Sequence, residues 1–318
     1  MIEIGMKKET RVAYGETLVE LGAQNEKIVV MDADLSGSTK TAMFQKAYPD
    51  HFYNAGIAEG NMVGVAAGLA ASGYTVFVSS FAMFASGRAF EQIRNTVGYP
   101  KLNVKICASH AGITVGPDGG THQCLEDIGI MRTIPGMTII NPADAVEARL
   151  ALIAAAKHDG PVYMRFGRSA VPVVFDEATY EFEIGKGVEL REGSDVTIIA
   201  SGITVEMALK AAFMLEEQGV SARVVNMATI KPIDREIIVK AAKETGAIVT
   251  AEEHNIIGGL GSAVAEVICE TVPVPVRRVG IKDSFGRSGD IPELLSCYEL
   301  TPEEIVKQAK DAIAAKKG

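Results

Sequence analysis

The chain has 318 residues, enough for one or two well-cored domains without disulfide or metal staples. Hydrophobic residues make up 47% of it and charged residues 22%, which excludes an intrinsically disordered chain. With 31 basic against 40 acidic side chains the net charge is −9, which argues against nucleic acid as a partner, because such binding rests on clusters of Lys and Arg.

In chain order, a helical pattern over residues 9–22 leads into an apolar run at 27–31 that reads as a strand and ends on the polar cluster 32–38. A helix follows Ile57, then a strand at 74–79, a helix ending near Val97 and a strand at 104–108. A strand near 137–140, a helix after Pro142 and a strand at 162–165 complete the series. Short β-rich runs separated by helices predict a mainly parallel sheet covered on both faces. Residues 60–87 carry no charge, but Gly64, Gly68, Gly73, Ser72, Ser79 and Ser80 divide them into helix, turn and strand, so a membrane span is not expected.

Between 172 and 194 the pattern lapses into Pro, Gly and acidic residues, which suits a linker. A second unit follows, with strands at 196–200, 223–227 and 247–251 and helices at 204–218, after Asp234 and after Gly261. Thr301, Pro302 and Glu304 form a capping-box signature for a terminal helix. The expected architecture is α/β: two domains with mainly parallel sheets, over residues 1–178 and 190–318. Cys107, Cys124, Cys269 and Cys297 form no Cys-x-x-Cys pair and no leader segment is visible, so a reduced, cytoplasmic chain is expected.

Several groups could carry chemistry. Glu59 is a lone carboxylate entering an Ala/Gly/Val-rich helix. It is either a first-turn Glu favoured by the helix dipole or a desolvated acid that shares a proton with a ligand nitrogen. Phe81 and Phe84, at i and i+3 of an expected helix start, are either core or a wall for a flat heterocycle at the mouth of the sheet. The loop 108–123 holds Gly112, Gly116, Gly119 and Gly120 with His110, Asp118 and His122, including two of the five histidines, and reads as a binding loop. It has no Lys, which excludes a Walker loop. A metal site from His110, Asp118, His122 and Cys124 lacks a recognised spacing, and nothing in the sequence orients a Cys124–His122 nucleophile pair.

Asp32, Asp34, Ser36 and Ser38 are as well explained by helix capping as by ligand contact. Arg165 and Arg168 close a strand and are either solvated or an anion clamp. Residues 258–262, Gly-Gly-Leu-Gly-Ser, lack the third glycine of a dinucleotide fingerprint and read as tight packing or a subunit contact.

Assembled, these residues resemble the second half of a transketolase. The resemblance runs nearly end to end, from Thr10-Arg11 through Asp32-Ala-Asp-Leu35, Gly56-Ile-Ala-Glu59 and the loop Gly116-Pro-Asp-Gly-Gly-Thr-His-Gln123. It continues through Ile134-Pro-Gly-Met137 and Asn141-Pro-Ala-Asp144 to Phe285-Gly-Arg-Ser-Gly-Asp290. It implies a pyrimidine-binding domain followed by a transketolase C-terminal domain, with thiamine diphosphate as cofactor. It further implies that Glu59 hydrogen-bonds the aminopyrimidine ring nitrogen, that Phe81 with Phe84 stacks on that ring, and that Asp34 approaches the thiazolium. By the same resemblance His110 and His122 contact substrate as catalytic residues, Asp118 reads a donor hydroxyl, and Arg11, Ser38 and Arg168 grip the sugar phosphate. Arg165 has no equally clear counterpart and is kept as a substrate-binding candidate on its position alone.

The departures carry information too. Transketolases hold the diphosphate and Mg²⁺ through a Gly-Asp-Gly motif and a later Asn in a preceding domain, and this sequence has no Gly-Asp-Gly. The implied partner is a separate N-terminal subunit that binds the diphosphate and Mg²⁺ (or Ca²⁺), in a heterotetramer acting on sugar phosphates, with no metal ligands in this chain. Gly60-Asn61 stands where full-length relatives often have a His after the glutamate, a departure at one proton-handling position of the family. Three other readings stay open: a deoxyxylulose-phosphate synthase-like chain, the β subunit of a 2-oxoacid dehydrogenase, and a non-catalytic scaffold.

Overall fold

The computed structural model describes residues 6–316. A seven-stranded sheet forms the centre of the first unit, in the order Thr229–Lys231, Thr138–Ile140, Val162–Arg165, Val104–Ser109, Thr75–Phe81, Ile28–Asp32, Phe52–Asn54. Every neighbouring pair is parallel except the first, where Thr229–Lys231 runs antiparallel to Thr138–Ile140. The period-2 alternation of side chains sorts the residues of each strand onto opposite faces. Val76, Val78, Ile106 and Ala108 pack with Met62, Val63, Ala66 and Ala67 of the helix Glu59–Ala71. Phe77 and Cys107 point the other way, into a cluster with Ala13 and Leu18 of the helix Thr10–Gln24 and Ala148, Ala151 and Leu152 of the helix Ala145–Lys157.

The second unit has a five-stranded sheet in the order Val276–Ile281, Ile248–Asn255, Val196–Ala200, Ala222–Asn226, Val188–Arg191, with only the last strand antiparallel. A short antiparallel ribbon joins Lys7–Glu9 to Ala170–Pro172. The two units share one apolar cluster: Ile199, Val225, Met227 and Leu260 of the second pack with the group that includes Met31 and Ile139 of the first.

Several expectations need correction. Phe81 is the last residue of the strand Thr75–Phe81, so the helical segment begins one residue later, at Ala82; it runs on through the wide π-type turns Phe84–Arg88 and Ile93–Gly98, which flank the α-turn Phe90–Gln92. The stretch read as linker contains the strand Val188–Arg191. Thr229–Lys231, within the second half of the chain, completes the first unit's sheet. The edge strand Val276–Ile281 gave no apolar run because Arg277 and Arg278 face solvent there. At the last helix, Pro302–Ala315, Thr301 accepts the Glu304 N–H at 3.3 Å, while the Glu304 carboxylate turns to Lys307 and Gln308, so only half of the capping box forms. No helix among the described residues is long and apolar enough to cross a membrane.

Candidate active site

The candidate residues gather at the carboxyl ends of the first unit's parallel strands, where open α/β sheets leave a crevice. His110 follows the strand Val104–Ser109 directly, in a left-handed conformation (φ 56°) that turns its ring back over the sheet. There it stacks on Phe81 with ring centroids 3.8 Å apart. Phe81 in turn stacks on Phe84 at 5.8 Å, and the His122 ring stands edge-on to Phe84 at 5.3 Å. The four rings form one aromatic wall.

Arg11, in the first turn of the helix Thr10–Gln24, donates to the Ser38 carbonyl at 2.9 Å and lies 3.4 Å from His110 Nε2. A guanidinium only donates, so Nε2 faces it as the acceptor and the His110 proton sits on Nδ1, 2.9 Å from Ser109 Oγ. Burial, then the Arg11 and Arg168 charges, hold the His110 imidazolium down to about 3. The ring is therefore neutral at ordinary pH, able to donate at one nitrogen and accept at the other.

Arg168 donates to the Val115 carbonyl at 2.5 Å and lies 3.8 Å from Asp118. Arg11 and Arg168 line one cleft of about 710 Å³ together with Glu9, Pro117 and Asp290. Ser38 contributes its carbonyl to Arg11. Asp34, at φ 65°, accepts from Asn54 Nδ2 at 3.0 Å, while Asp32 is buried and tied to Leu35, Thr39 and Thr41. Of the acidic pair, Asp32 shapes the loop and Asp34 lies at its surface.

Glu59, the first residue of its helix, is buried, yet it is not solitary. Arg88 reaches it at 3.2 Å and lays its guanidinium carbon 4.3 Å from the Phe84 ring centre. The only two charges between His51 and Phe90 thus meet, which was the one signal that could have placed Arg88 in the site.

Arg165 is the clear correction. Its guanidinium is buried, paired with Asp127 at 2.9 Å and bonded to the Cys124 and Glu253 carbonyls, so it points into the contact between the units and offers nothing to an anion in the cleft. Cys124 is also buried, 3.5 Å from Ser86 Oγ, and burial pushes its thiol up, which removes the Cys124–His122 pair. Among the described residues no group of three or more His, Cys, Asp and Glu could hold a metal ion. The 258–262 segment packs tightly: Leu260 N and Gly261 N are already taken by the Glu252 carboxylate, at 2.6 and 2.8 Å, and Gly258 abuts Gly129.

The sequence pattern of the transketolase pyrimidine binding domain matches residues 6–174, and that of the transketolase C-terminal domain matches residues 185–305. The chain belongs to the transketolase family. A Methanocaldococcus jannaschii protein named for a transketolase C-terminal section is 56% identical over 306 residues, covering 96% of each chain. Rat transketolase is 36% identical over 315 residues that make up 98% of this chain and 50% of the rat enzyme. A solved split-gene transketolase, described as an inactive β4 tetramer, superposes with a TM-score of 0.89 at 54% identity, covering 97% of this chain and 99% of that one.

Membership in the transketolase family implies dependence on thiamine diphosphate. The residues present fit its aminopyrimidine end. Phe81 and Phe84 give a flat apolar wall, and the buried Glu59 carboxylate beside it is bonded through Oε1 to a half-exposed Arg88 that a ring nitrogen could replace. The chain's own glycine-led helix at 260–270 does not fit a diphosphate, because Glu252 already occupies its first amides.

Proposed function

We propose that this chain is the C-terminal subunit of a two-chain transketolase that moves a two-carbon ketol unit from a ketose phosphate to an aldose phosphate. The observation that carries this reading is the convergence, at one mouth of the sheet, of a buried carboxylate, an aromatic wall, two histidines and two arginines sharing a cleft. In this reading Glu59 binds the aminopyrimidine nitrogen, Phe81 and Phe84 hold the ring, and Asp34 lies toward the thiazolium. When bound, thiamine diphosphate supplies the electron sink for breaking a carbon–carbon bond beside a carbonyl.

The chain's own groups do the rest. Arg11 and Arg168 bind the sugar phosphate beside Ser38, Asp118 accepts from a donor hydroxyl, and His110, neutral in the fold, works with His122 to orient hydroxyls and move protons at them. A separate N-terminal subunit would hold the diphosphate and its Mg²⁺ (or Ca²⁺). The half-length match to rat transketolase and the inactive state of the β4 relative support that division. A heterotetramer is the assembly in this reading, and the exposed stripe Asn61, Gly64, Val65 and Gly68 on the Glu59 helix offers a surface for association between chains. Four free thiols favour a reducing, cytoplasmic setting.

The test is reconstitution with the N-terminal subunit and a donor panel. Xylulose 5-phosphate is expected to support ketol transfer and pyruvate is not. Glu59→Gln should lower kcat by about 10²-fold or more, the scale of a lost proton-handling group, while the two chains still co-purify. Turnover of pyruvate alone would favour the synthase or dehydrogenase reading, and no turnover with either donor would favour a scaffold.

A further inference from the structure

All four rings of the wall come from the first unit, yet the second unit holds the loop that carries Asp118 and His122 at three points. The first is Glu253, buried near the end of the strand Ile248–Asn255, whose Oε1 accepts the Thr114 N–H at 2.7 Å. That approach is possible because residue 112 is glycine: at φ 81° a Cβ there would lie 2.1 Å from the Glu253 carboxyl carbon. The second is Gln123, whose Nε2 donates to the Arg287 carbonyl at 2.9 Å while also lying 3.2 and 3.3 Å from the carbonyls of Ile113 and Gly116. One side-chain amide thus links both ends of the loop to the second unit. The third is Ser288, whose hydroxyl donates at 2.7 Å to the carbonyl of Pro117, the residue before Asp118. Gly120 closes the fit, since a Cβ there would meet the Gly286 carbonyl at 2.6 Å.

These contacts have a directional logic. The loop's outer residues, Asp118 and Thr121, face solvent; within the first unit the loop is held at its two ends, by short turn bonds such as Gly119 N–H to the Gly116 carbonyl and His122 N–H to the Gly119 carbonyl, and at the Val115 and Thr114 carbonyls by Arg168 and Ser169. Glycines at 112, 116, 119 and 120 leave the intervening backbone many conformations unless something outside the loop selects one. The carboxylate, the amide and the hydroxyl each satisfy a backbone group of the loop, which is how its short 3-10 turns at Ile113–Asp118, broken at Gly116, are held in a single shape.

We propose that the second unit is the template of the substrate loop, with Glu253 and Gln123 as positioning residues that set Asp118 and His122 for the donor. This rests on the function proposed above only where it names the donor. The test therefore has one arm that does not. Hydrogen exchange on the full chain should show amides of 112–123 exchanging about tenfold faster in Glu253→Ala, with the helix Thr204–Glu216 unchanged, as expected when a buried acceptor is lost locally. Glu253→Gln, which keeps an acceptor oxygen for Thr114, should restore protection. Ser288→Ala removes an exposed side chain and empties no core; it should give the same signature confined to 116–120.

In the reconstituted enzyme Glu253→Ala should raise KM for a ketose phosphate about tenfold and leave KM for hydroxypyruvate, which keeps the hydroxymethyl ketone but lacks the hydroxyls on the far side of the carbonyl that Asp118 would read, within about threefold. Unchanged exchange in the loop, a Gln variant no better than Ala, or an equal loss with both donors would overturn the proposal. Faster loop exchange with a wild-type complex that transfers no ketol unit would instead uphold the template and remove the transketolase reading.

Discussion

At His110 burial and neighbouring charge act in the same direction. The ring is shut between Phe81 and the sheet, and Arg11 and Arg168 both oppose a proton on it, which holds its pKa down to about 3. His254, buried beside the contact between the units, is held down to about 4 for the same first reason. Between these values and the ordinary 6.5 the unfolded chain binds protons that the folded chain refuses, so stability is lost as pH falls through that window. Glu147 and Glu252, raised by burial to about 7, oppose it: the folded chain keeps their protons longer, and stability is lost as pH rises from 4.5 to about 7. The expected outcome for His110→Gln is a shallower fall of the urea midpoint between pH 6.5 and 4 than in the parent, read as a difference so that the glutamates cancel. An unchanged slope would mean the ring is protonated in the fold. At this scale the sequence displayed the chemistry of Glu59, His110 and Asp118 but not their partners. Arg88 reaches Glu59 because a π-type turn aims it there, and Arg165 turns inward because Asp127 lies 38 residues upstream in sequence yet 2.9 Å away.

The helix Glu59–Ala71 shows how one element serves two neighbours. Met62, Val63, Ala66 and Ala67 bury against the sheet, and the opposite stripe of Asn61, Gly64, Val65 and Gly68 is exposed. A Cβ added at Gly64 or Gly68 meets nothing within 4 Å. Each Gly→Ala change should therefore stabilise the dissociated chain by about 0.5–1 kcal/mol, through the lower backbone entropy of the unfolded state. The same changes should weaken association if this stripe is the contact surface. Dilute denaturant titration and sedimentation of the two variants check both parts, and a loss of stability at dilution would show the stripe already packed. Elements with short apolar-rich runs, such as 104–109 and 196–200, were legible because both faces are buried, even with Lys105 and Thr197 inside them. Val188–Arg191 and Thr229–Lys231 were not, because three- and four-residue strands at sheet edges carry no pattern long enough to see.

Polar and apolar contacts both cross between the two units. Arg165 and Tyr163 both bond the buried Asp127, and Arg165 also bonds the Glu253 carbonyl of the second unit. Glu147 of the first unit likewise accepts from Asn226 of the second at 2.6 Å. Removing one member of such a pair strands the other charge, so Arg165→Leu should cost about 3–5 kcal/mol and the double change with Asp127→Leu should recover part of it. Urea denaturation followed by circular dichroism should show both variants unfolding in one transition, given the shared core. A cost below about 1 kcal/mol for Arg165→Leu would mean the pair is solvated.

By itself the sequence determined the α/β alternation, the mainly parallel sheets and the loop of glycines with its acid and histidines, because burial on both faces and backbone freedom leave marks within a few residues of each other. The tertiary structure alone decided that Arg165 is structural, that Arg88 meets Glu59, that residues 229–231 finish the first sheet and that Glu253 shapes the loop of the other unit. Those outcomes depend on which distant groups close the hydrogen bonds of a buried charge or an open backbone, and a local pattern holds no record of partners up to 139 residues away.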